Sequence, residues 1–590
     1  MRSSTLLTAT VLAPLTAASF TCPPLGPVFP AAKNPGAHPA VRAALADFVA
    51  AVEAETKDFD GSAVSIGVKS AFEDEPLLDF HHTPKNRDPR GADVVDENTV
   101  YRLASVSKVF TVLAALQRDD VIHLDDPITK FIPELRGKRP EGGELDYVDW
   151  EEVTVEAVAA HVAGIGADMM TDRAQYEGDW EALGLPRLSP DEKGPSCGGF
   201  LGERRCTRED FLSVFKNSRP PIYPVYQSPV YSNPGTALVG LVVEGATGKP
   251  FEQVLQELIL DPVGMGNTSY PSPPKDLSKL FIPENSTIFD WELGIFNAAG
   301  AMYSSTKDML KFGDAILHHR LLSAAKTRRW LKPTTHTSTP GTFVGMPWEG
   351  FISNNLTADG RLVEVFTKGG DIFEYKAGLV LVPEHNFTVS ILVAGPEVAN
   401  AMFPYYQLKI NDLLPPLIRA LDEAARDEAA DGIAGTYADP DSDSRLTLRL
   451  DGGWGLSVED WFMRGFEVIP NLGRYSHRGV NATDMPPDPD ARARAYPTGL
   501  REGGKKTAWR AVFDTFPPEH RQRIDDLAFW KNASCLTWFT IDRLSYNYKG
   551  IDHFEFTYGE DGKVESILPK AFGVDLKRVE DKSGVWSEEL

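Results

Sequence analysis

The segment Ser105-Val-Ser-Lys108 carries a hydroxyl and an amine at a spacing that can support nucleophilic chemistry. Residues three positions apart share one face of a helix, so the Ser105 hydroxyl and the Lys108 amine are predicted to be neighbours. The surrounding residues 101–116 are mostly apolar, which predicts a buried helix. A buried lysine loses its proton more readily and can then accept one from serine. The pattern also arises by chance, and the alternative is a surface serine followed by an ordinary lysine.

Two groups further along the chain carry polar side chains beside turn-forming residues. The first is Tyr231-Ser-Asn233, in which a phenol near ammonium groups can shuttle a proton and an amide can both donate to a carbonyl and accept from a lysine. The second is Lys368-Gly-Gly370, where glycines would let a substrate backbone approach closely and the lysine adds positive potential. Taken alone, each group could equally be an ordinary polar turn.

In this order and at these separations, the three groups resemble the serine β-lactamase and penicillin-binding-protein superfamily, and most of all its class C-like branch. Residues 153–165, 261–268 and 299–308 are similar to other characteristic segments of that branch. The likeness extends over residues 40–420, and the N-terminal layout is similar to that of secreted fungal members. Ala434-Gly-Thr-Tyr437 resembles the start of a β-rich C-terminal domain that many such proteins carry.

The resemblance implies an α/β (α+β) fold, in which an antiparallel sheet is flanked by helices and a smaller all-β, barrel-like domain follows. The length agrees, because 590 residues exceed what one hydrophobic core usually absorbs. The predicted segments are a signal peptide over residues 1–18, a catalytic domain over 19–428 and the β-rich domain over 429–590. Residues 408–426 have a helical apolar pattern, and a Pro-Pro pair within it is expected to break or kink the helix.

The resemblance also implies a role for each polar residue of the three groups. Ser105 would be the nucleophile, and Lys108 would be its base or electrostatic activator. Tyr231 would act as the partner base and as the acid that protonates the leaving group. Asn233 would orient Lys108 and the substrate, and Lys368 would steer Tyr231 and the incoming acyl group.

The strand that carries the third group is implied to bind substrate through Gly369, Gly370 and Asp371. The backbone N–H groups of Ser105 and Asp371 would form the oxyanion hole. Gly369 stands where many members carry a threonine or serine that helps to bind a carboxylate, and Asp371 stands where neutral residues are usual. An inward-pointing Asp371 carboxylate would repel anionic substrates, β-lactams included. These departures favour an ester, amide or peptide substrate.

The predicted function is that of a secreted serine hydrolase, an esterase, amidase or peptidase that cleaves its substrate through an acyl-enzyme on Ser105. No metal or organic cofactor is predicted, and the expected partner is a small-molecule ester, amide or peptide. Three alternatives stay open. They are a β-lactamase, an acyl transferase (transesterase) acting on a secondary metabolite, and a binding protein that has the fold without turnover.

Charge and the N-terminal segment bear on partners and location. The formal net charge of -24 argues against nucleic acid and anionic membrane surfaces as partners. Arg2, followed by a mostly apolar stretch over residues 6–18, predicts a cleaved signal peptide and an extracellular location. No later apolar run is long enough for a transmembrane helix.

Cysteines and glycosylation sequons agree with secretion. The four cysteines predict two disulfides, and of the three possible connectivities Cys197–Cys206 with Cys22–Cys535 is favoured, because the first pair encloses a short loop. A structural zinc site is the rival interpretation, and the cysteine spacing does not support it. N-x-[ST] sequons predict a glycosylated surface, and they occur at Asn267, Asn285, Asn355, Asn386, Asn481 and Asn532.

Overall fold

The computed structural model describes residues 22–169, 172–190, 192–194, 197, 206–399, 404–476, 485–515, 518–530 and 534–579. The chain divides into two compact units. One unit comprises residues 31–424, and the other combines the described residues of 22–30 with those from 425 onwards. The predicted signal peptide over residues 1–18 lies outside the described residues.

An antiparallel sheet forms the centre of the larger unit. The strands of this unit are β1 (Ala63–Ser70), β2 (Leu78–His82), β3 (Val100–Arg102), β4 (Tyr303–Ser305), β5 (Thr335–His336), β6 (Thr342–Val344), β7 (Glu349–Ser353), β8 (Val363–Ile372), β9 (Tyr375–Val382) and β10 (Phe387–Ala394). Eight of them pair in the order β2-β1-β10-β9-β8-β7-β6-β5, and β3 pairs with β4 separately. Strands β9 and β10 are buried along their whole length, which accounts for their near-continuous apolar sequences.

Helices cover both faces of this sheet. They are α1 (Pro39–Thr56), α2 (Ser107–Leu116), α3 (Val155–Ala159), α4 (Arg208–Asn217), α5 (Asn233–Thr247), α6 (Phe251–Leu255), α7 (Asp261–Val263), α8 (Asn297–Gly300), α9 (Thr306–Leu317), α10 (Ala324–Trp330), α11 (Pro396–Ala399) and α12 (Tyr405–Gly432). On one face, α9 packs so closely that a Cβ at Gly67 of β1 would lie 2.7 Å from the Leu310 side chain. On the other face, a Cβ at Gly378 of β9 would lie 2.9 Å from the ring of Tyr406 in α12.

Helix α12 runs through Pro415 and Pro416 without interruption, so the break expected from the sequence does not occur. The prolines remove backbone donors, but Leu417 and Ile418 directly after them are fully buried. Tertiary packing of this apolar face therefore outweighs the local preference of the proline pair.

A buried ion cluster holds α12 against the segment that precedes β8. Arg361 is 5 % exposed, and its guanidinium group donates to both carboxylate oxygens of Asp422 at 2.8 and 2.6 Å. It also donates to Glu384 at 2.8 Å, while His385 and Asp422 lie 2.8 Å apart. Burial alone would raise the pKa of Asp422, but the hydrogen bonds from His385 and Arg361 and their charges hold that pKa at about 2.

The smaller unit contains a closed β-barrel. The strands of this unit are β11 (Gly435–Asp439), β12 (Ser444–Arg449), β13 (Leu456–Met463), β14 (Phe466–Glu467), β15 (Arg492–Glu502), β16 (Lys506–Asp514), β17 (Ser545–Tyr546), β18 (Lys549–Gly550), β19 (His553–Tyr558), β20 (Val564–Pro569) and β21 (Leu576–Arg578). Its helices are α13 (Leu472–Ser476), α14 (Pro518–Leu527) and α15 (Thr537–Thr540). The order β12-β11-β21-β20-β19-β16-β15-β13 closes because β12 also pairs with β13. Trp509 is fully buried and stacks on Phe556 at 4.7 Å. The predicted fold class, including the barrel-like second domain, is confirmed.

The structure joins Cys197 to Cys206 and Cys22 to Cys535, which is the connectivity favoured from the sequence. In the part of the chain that the structure describes, no helix is long and apolar enough to cross a membrane. Across the same residues, no group of three or more histidine, cysteine, aspartate or glutamate side chains could hold a metal ion.

Candidate active site

The Ser105 hydroxyl lies on a short turn that leads into α2. Residues Ala104–Val106 form one turn of 3₁₀-helix, and Ala104 has a φ of 45°, which is uncommon for a residue with a side chain. Gly370 of β8 packs directly against this turn, because a Cβ there would lie 2.1 Å from the Leu103 carbonyl oxygen. A glycine is therefore required where the strand meets the serine turn.

Lys108 is fully buried and contacts the serine directly. Its Nζ donates to Oγ of Ser105, to Oδ1 of Asn233 and to the carbonyl oxygen of Ala299, each at 2.9 Å. Burial lowers the pKa of Lys108, and the nearby charge of Lys368 lowers it further, against the opposing effect of a tyrosine. The amine is thus held at hydrogen-bonding distance from the serine, and burial makes it release its proton more readily than an exposed lysine does.

Asn233 reaches Lys108 because it is the first residue of α5. Ser232 is the N-cap of that helix, and its hydroxyl accepts from the Gly235 N–H while a proline occupies the first turn. The Asn233 backbone N–H donates to Ala167 at 3.0 Å, which fixes the entry of the chain into the helix.

Tyr231 lies between the two lysines. The centre of its ring is 5.1 Å from Nζ of Lys108 and 5.2 Å from Nζ of Lys368. Burial raises the pKa of the phenol, but the charges of the two lysines and a hydrogen bond with Ser105 outweigh that effect and leave the pKa below its ordinary value. Although 41 % of Tyr231 is exposed, its hydroxyl end is directed to these groups, and they govern its proton. The tyrosine is suited to accept the serine proton.

His161 supports Tyr231 from below. The two rings lie 4.6 Å apart at an angle of 30°, and Nδ1 of His161 accepts from the Ser232 N–H at 3.1 Å. Burial lowers the pKa of His161 to about 3, and the charges of Lys108 and Lys368 contribute. Burial therefore favours the neutral imidazole, which packs against the phenol ring.

Lys368 forms an ion pair with Glu349, the first residue of β7. The sequence analysis did not identify Glu349 as a residue of the site. Nζ of Lys368 donates to Oε1 of Glu349 at 2.6 Å and to the carbonyl oxygen of Gly369 at 2.7 Å. The Gly369 N–H donates to Oε2 of Glu349 at 2.9 Å. Burial would lower the pKa of Lys368, but the Glu349 carboxylate raises it above its ordinary value. Lys368 thus stays charged and keeps a positive group beside Tyr231.

The open edge of β8 faces the serine turn. Pairing of β7 with β8 ends at Glu349 opposite Thr367, so residues 368–372 have only β9 as a neighbouring strand. Because the Gly369 N–H points to this open side, the alternation of an antiparallel strand directs the Asp371 N–H to the same side. The Asp371 carboxylate accepts from Lys376 at 2.7 Å, so its charge is balanced, and the repulsion of anionic substrates expected from this residue is correspondingly reduced.

A cavity of about 580 Å³ opens beside Ser105. Asn233, Asp371 and Lys376 contribute polar groups to it, whereas its apolar wall comes from Trp291, Leu293, Phe296 and Phe373. Beneath the wall, the buried Arg102 donates to the Trp291 carbonyl at 2.9 Å and thereby fixes that loop. The cavity can hold a mainly apolar group with its reacting carbon at the serine.

The predicted glycosylation sites divide by exposure. Asn285 and Asn355 are exposed, whereas Asn267 and Asn386 are half-buried. The Asn267 amide also donates to Asn98 at 3.1 Å, so attachment of a glycan there would break a hydrogen bond. The remaining predicted sites, Asn481 and Asn532, lie outside the described residues.

Comparison with known proteins agrees with this geometry. Residues 82–408 match the beta-lactamase family, and residues 425–580 match the family described as the C-terminal domain of beta-lactamase-like-like proteins. The chain therefore belongs to the beta-lactamase family, which confirms the resemblance drawn from the three polar groups.

Two curated relatives align with most of this chain. The chain is 26% identical over 540 residues to a "Beta-lactamase-like protein" of Arthroderma benhamiae, covering 86% of this chain and 87% of the relative. It is 28% identical over 452 residues to a "Probable hydrolase" of Cochliobolus lunatus, covering 71% and 70% of the two chains. Among solved structures, a class C beta-lactamase aligns with a TM-score of 0.43 at 17% identity, covering 63% of this chain and 95% of that one.

Proposed function

We propose that this protein is a secreted serine hydrolase that cleaves an uncharged ester or amide through an acyl-enzyme on Ser105. One observation carries the proposal: the buried amine of Lys108 lies 2.9 Å from Oγ of Ser105 and 2.9 Å from Oδ1 of Asn233. Tyr231 lies beside the same amine, and its pKa is lowered. These are the parts of a nucleophile activated by an adjacent base.

In the first step, Oγ of Ser105 attacks the substrate carbonyl carbon while its proton passes to the Tyr231 phenolate, with Lys108 stabilising the charge. The carbonyl oxygen becomes an oxyanion that accepts from the N–H groups of Ser105 and Asp371. The bond to the leaving group then breaks, Tyr231 returns the proton to that group, and an acyl-serine ester remains.

In the second step, a water molecule takes the place of the leaving group. Tyr231 accepts a proton from the water, whose oxygen attacks the acyl carbon. Collapse of the tetrahedral intermediate releases a carboxylic acid, and the proton returns to Oγ of Ser105. An alcohol in place of water would give acyl transfer, and the acyl transferase therefore remains the second candidate function.

Two features support an uncharged substrate in preference to a β-lactam. The cavity wall beside Ser105 is mainly apolar, and the one lysine in that wall, Lys376, is paired with Asp371. Among the described residues that line the cavity, a substrate carboxylate would find no unpaired cation. The names of the relatives, "Probable hydrolase" among them, agree with hydrolysis as the reaction class.

The decisive experiment compares the wild type with Ser105→Ala on p-nitrophenyl esters, D- and L-amino-acid amides and nitrocefin, together with fluorophosphonate labelling. We expect labelling of Ser105 and ester or amide turnover that the variant loses. Ser213→Ala, a change at an exposed serine of α4, is the matched control and should leave both unchanged. Equal rates for the wild type and Ser105→Ala would refute the mechanism, and rapid nitrocefin turnover would make the protein a β-lactamase.

Secretion is proposed with removal of residues 1–18, a catalytic domain extending to residue 428 and a β-rich domain from residue 429. The two disulfides support an oxidising compartment. Sequencing of the mature N-terminus from the culture medium, and release of glycans by an endoglycosidase, would test this part.

A further inference from the structure

The Glu349 carboxylate bears on the choice of substrate, and this inference rests on the proposed function. Lys368 is 1 % exposed, and its Nζ lies 2.6 Å from Oε1 of Glu349. The lysine charge is therefore balanced before any substrate arrives. A substrate carboxylate that approached Lys368 would also approach the Glu349 carboxylate. The repulsion from Glu349 would cancel the attraction that an unpaired lysine would supply.

The same glutamate also occupies the backbone donor of the strand. The Gly369 N–H lies on the open edge of β8, where it would otherwise be available to an anionic or extended ligand. It donates to Oε2 of Glu349 at 2.9 Å. The Glu349 carboxylate thus both neutralises the charge of Lys368 and accepts the hydrogen bond of the Gly369 N–H.

Tyr406 leaves no room for a threonine or serine side chain at position 369. A Cβ at Gly369 would lie 2.0 Å from Oη of Tyr406, and a Cβ at the cross-strand neighbour Gly378 would lie 2.9 Å from its ring. Burial raises the pKa of Tyr406 to about 12, and Glu349 contributes to the rise. The phenol therefore stays protonated and supplies no positive charge that would attract a substrate carboxylate.

We propose that Glu349 is a specificity-determining residue. It makes the site discriminate against substrates that carry a carboxylate beside the scissile bond. It contacts Lys368 and Gly369 and leaves the proton transfer to Tyr231. Its removal is therefore expected to change which substrate is preferred.

The test uses two isosteric esters, whose leaving groups are glycolamide and glycolate. Their common acyl group is the one that gives the fastest p-nitrophenyl ester turnover. The wild type should prefer the uncharged glycolamide ester. Glu349→Gln should shift the ratio of the two kcat/KM values towards the glycolate ester by about tenfold or more, because a like charge is removed.

Two controls isolate the charge of Glu349. Glu349→Asp keeps the charge and should keep the wild-type preference. Glu364→Gln removes a carboxylate that pairs with Lys332 at 2.9 Å elsewhere on β8, and it should leave the ratio unchanged. Added salt should narrow the preference of the wild type, since it screens the repulsion.

The outcomes separate the two proposals. An unchanged ratio in Glu349→Gln, with turnover that still requires Ser105, would overturn this inference and leave the proposed function standing. Loss of turnover on both esters in a folded Glu349→Gln protein would also overturn it, because the glutamate would then be required for the chemistry. Absence of any Ser105-dependent turnover in the wild type would instead remove the proposed function itself.

Discussion

Replacement of Gly370 by alanine is expected to disable catalysis without unfolding the protein. A Cβ at this position would lie 2.1 Å from the Leu103 carbonyl oxygen and 3.1 Å from the amide nitrogens of Ser105 and Val106. Cβ atoms essentially never approach other atoms closer than 3.0 Å, so the Leu103 carbonyl must retreat by about 0.9 Å, which is 3.0 minus 2.1. Leu103 lies two residues before Ser105, and the serine turn must move with it.

The size of the effect follows from this displacement. A reacting group that is misplaced by about 1 Å can lose roughly 10²-fold in rate. We therefore expect kcat/KM for the best p-nitrophenyl ester to fall about 100-fold, which corresponds to about 2.7 kcal/mol. Overpacking of this kind costs about 1–3 kcal/mol of stability, and the protein should remain folded at 25 °C.

The assay combines steady-state kinetics and the rate of fluorophosphonate labelling with thermal unfolding followed by circular dichroism. Gly266→Ala is the matched control, because a Cβ there would meet nothing within 4 Å and the φ of Gly266 lies outside the left-handed region. A folded Gly370→Ala protein with kcat/KM within about threefold of the wild type would refute the reasoning, since the barrier would then have changed by less than about 0.7 kcal/mol.

The proton relay and the buried ion cluster give three more expectations. Tyr231→Phe should lower kcat by about 10²–10⁴ and abolish the rise of kcat/KM with pH through the lowered pKa of Tyr231, as a pH–rate profile would show. Lys108→Met should prevent labelling of Ser105 while leaving the far-ultraviolet spectrum intact, and labelling at the wild-type rate would contradict it. Arg361→Met removes the guanidinium group that donates to Asp422 and Glu384 in a buried cluster, so urea unfolding should show a loss of about 3–5 kcal/mol. The pKa of Asp422 falls from 3.8 to about 2 on folding. The ionised carboxylate therefore adds to the free energy of unfolding in full above pH 3.8, and this stabilisation is lost as the pH falls through 2.

The parts of the site that are local in sequence could be predicted before the structure. Ser105 and Lys108 are three residues apart in a helical segment, and this spacing brings them to 2.9 Å from each other. Asn233 follows a serine and precedes a proline, and the structure shows that a helix, α5, starts there, where the sequence analysis had considered only a polar turn. The apolar runs of β9 and β10, with a proline turn between them, are also local in sequence, and they form the hairpin that follows the third group.

Residues brought to the site from distant elements were not predictable in this way. Glu349 reaches Lys368 because β7 pairs with β8 in one register, and a shift by one residue would place its side chain on the other face of the sheet. Tyr406 fills the space beside Gly369 because α12 packs on that face. Lys376 pairs with Asp371 across the β8–β9 hairpin, and this pairing changed the electrostatic argument about Asp371.

The sequence by itself predicted the fold class, through its resemblance to a known family, and it placed Ser105 and Lys108 on one face of a helix, because helix spacing acts over a few residues. The tertiary structure decided which charges in the site are balanced by an ion pair. Glu349 and Lys376 take up the charges of Lys368 and Asp371, and neither pairing is visible without the strand register. Electrostatic energy depends on distance in space, and only the folded sheet brings these residues within hydrogen-bonding distance of each other.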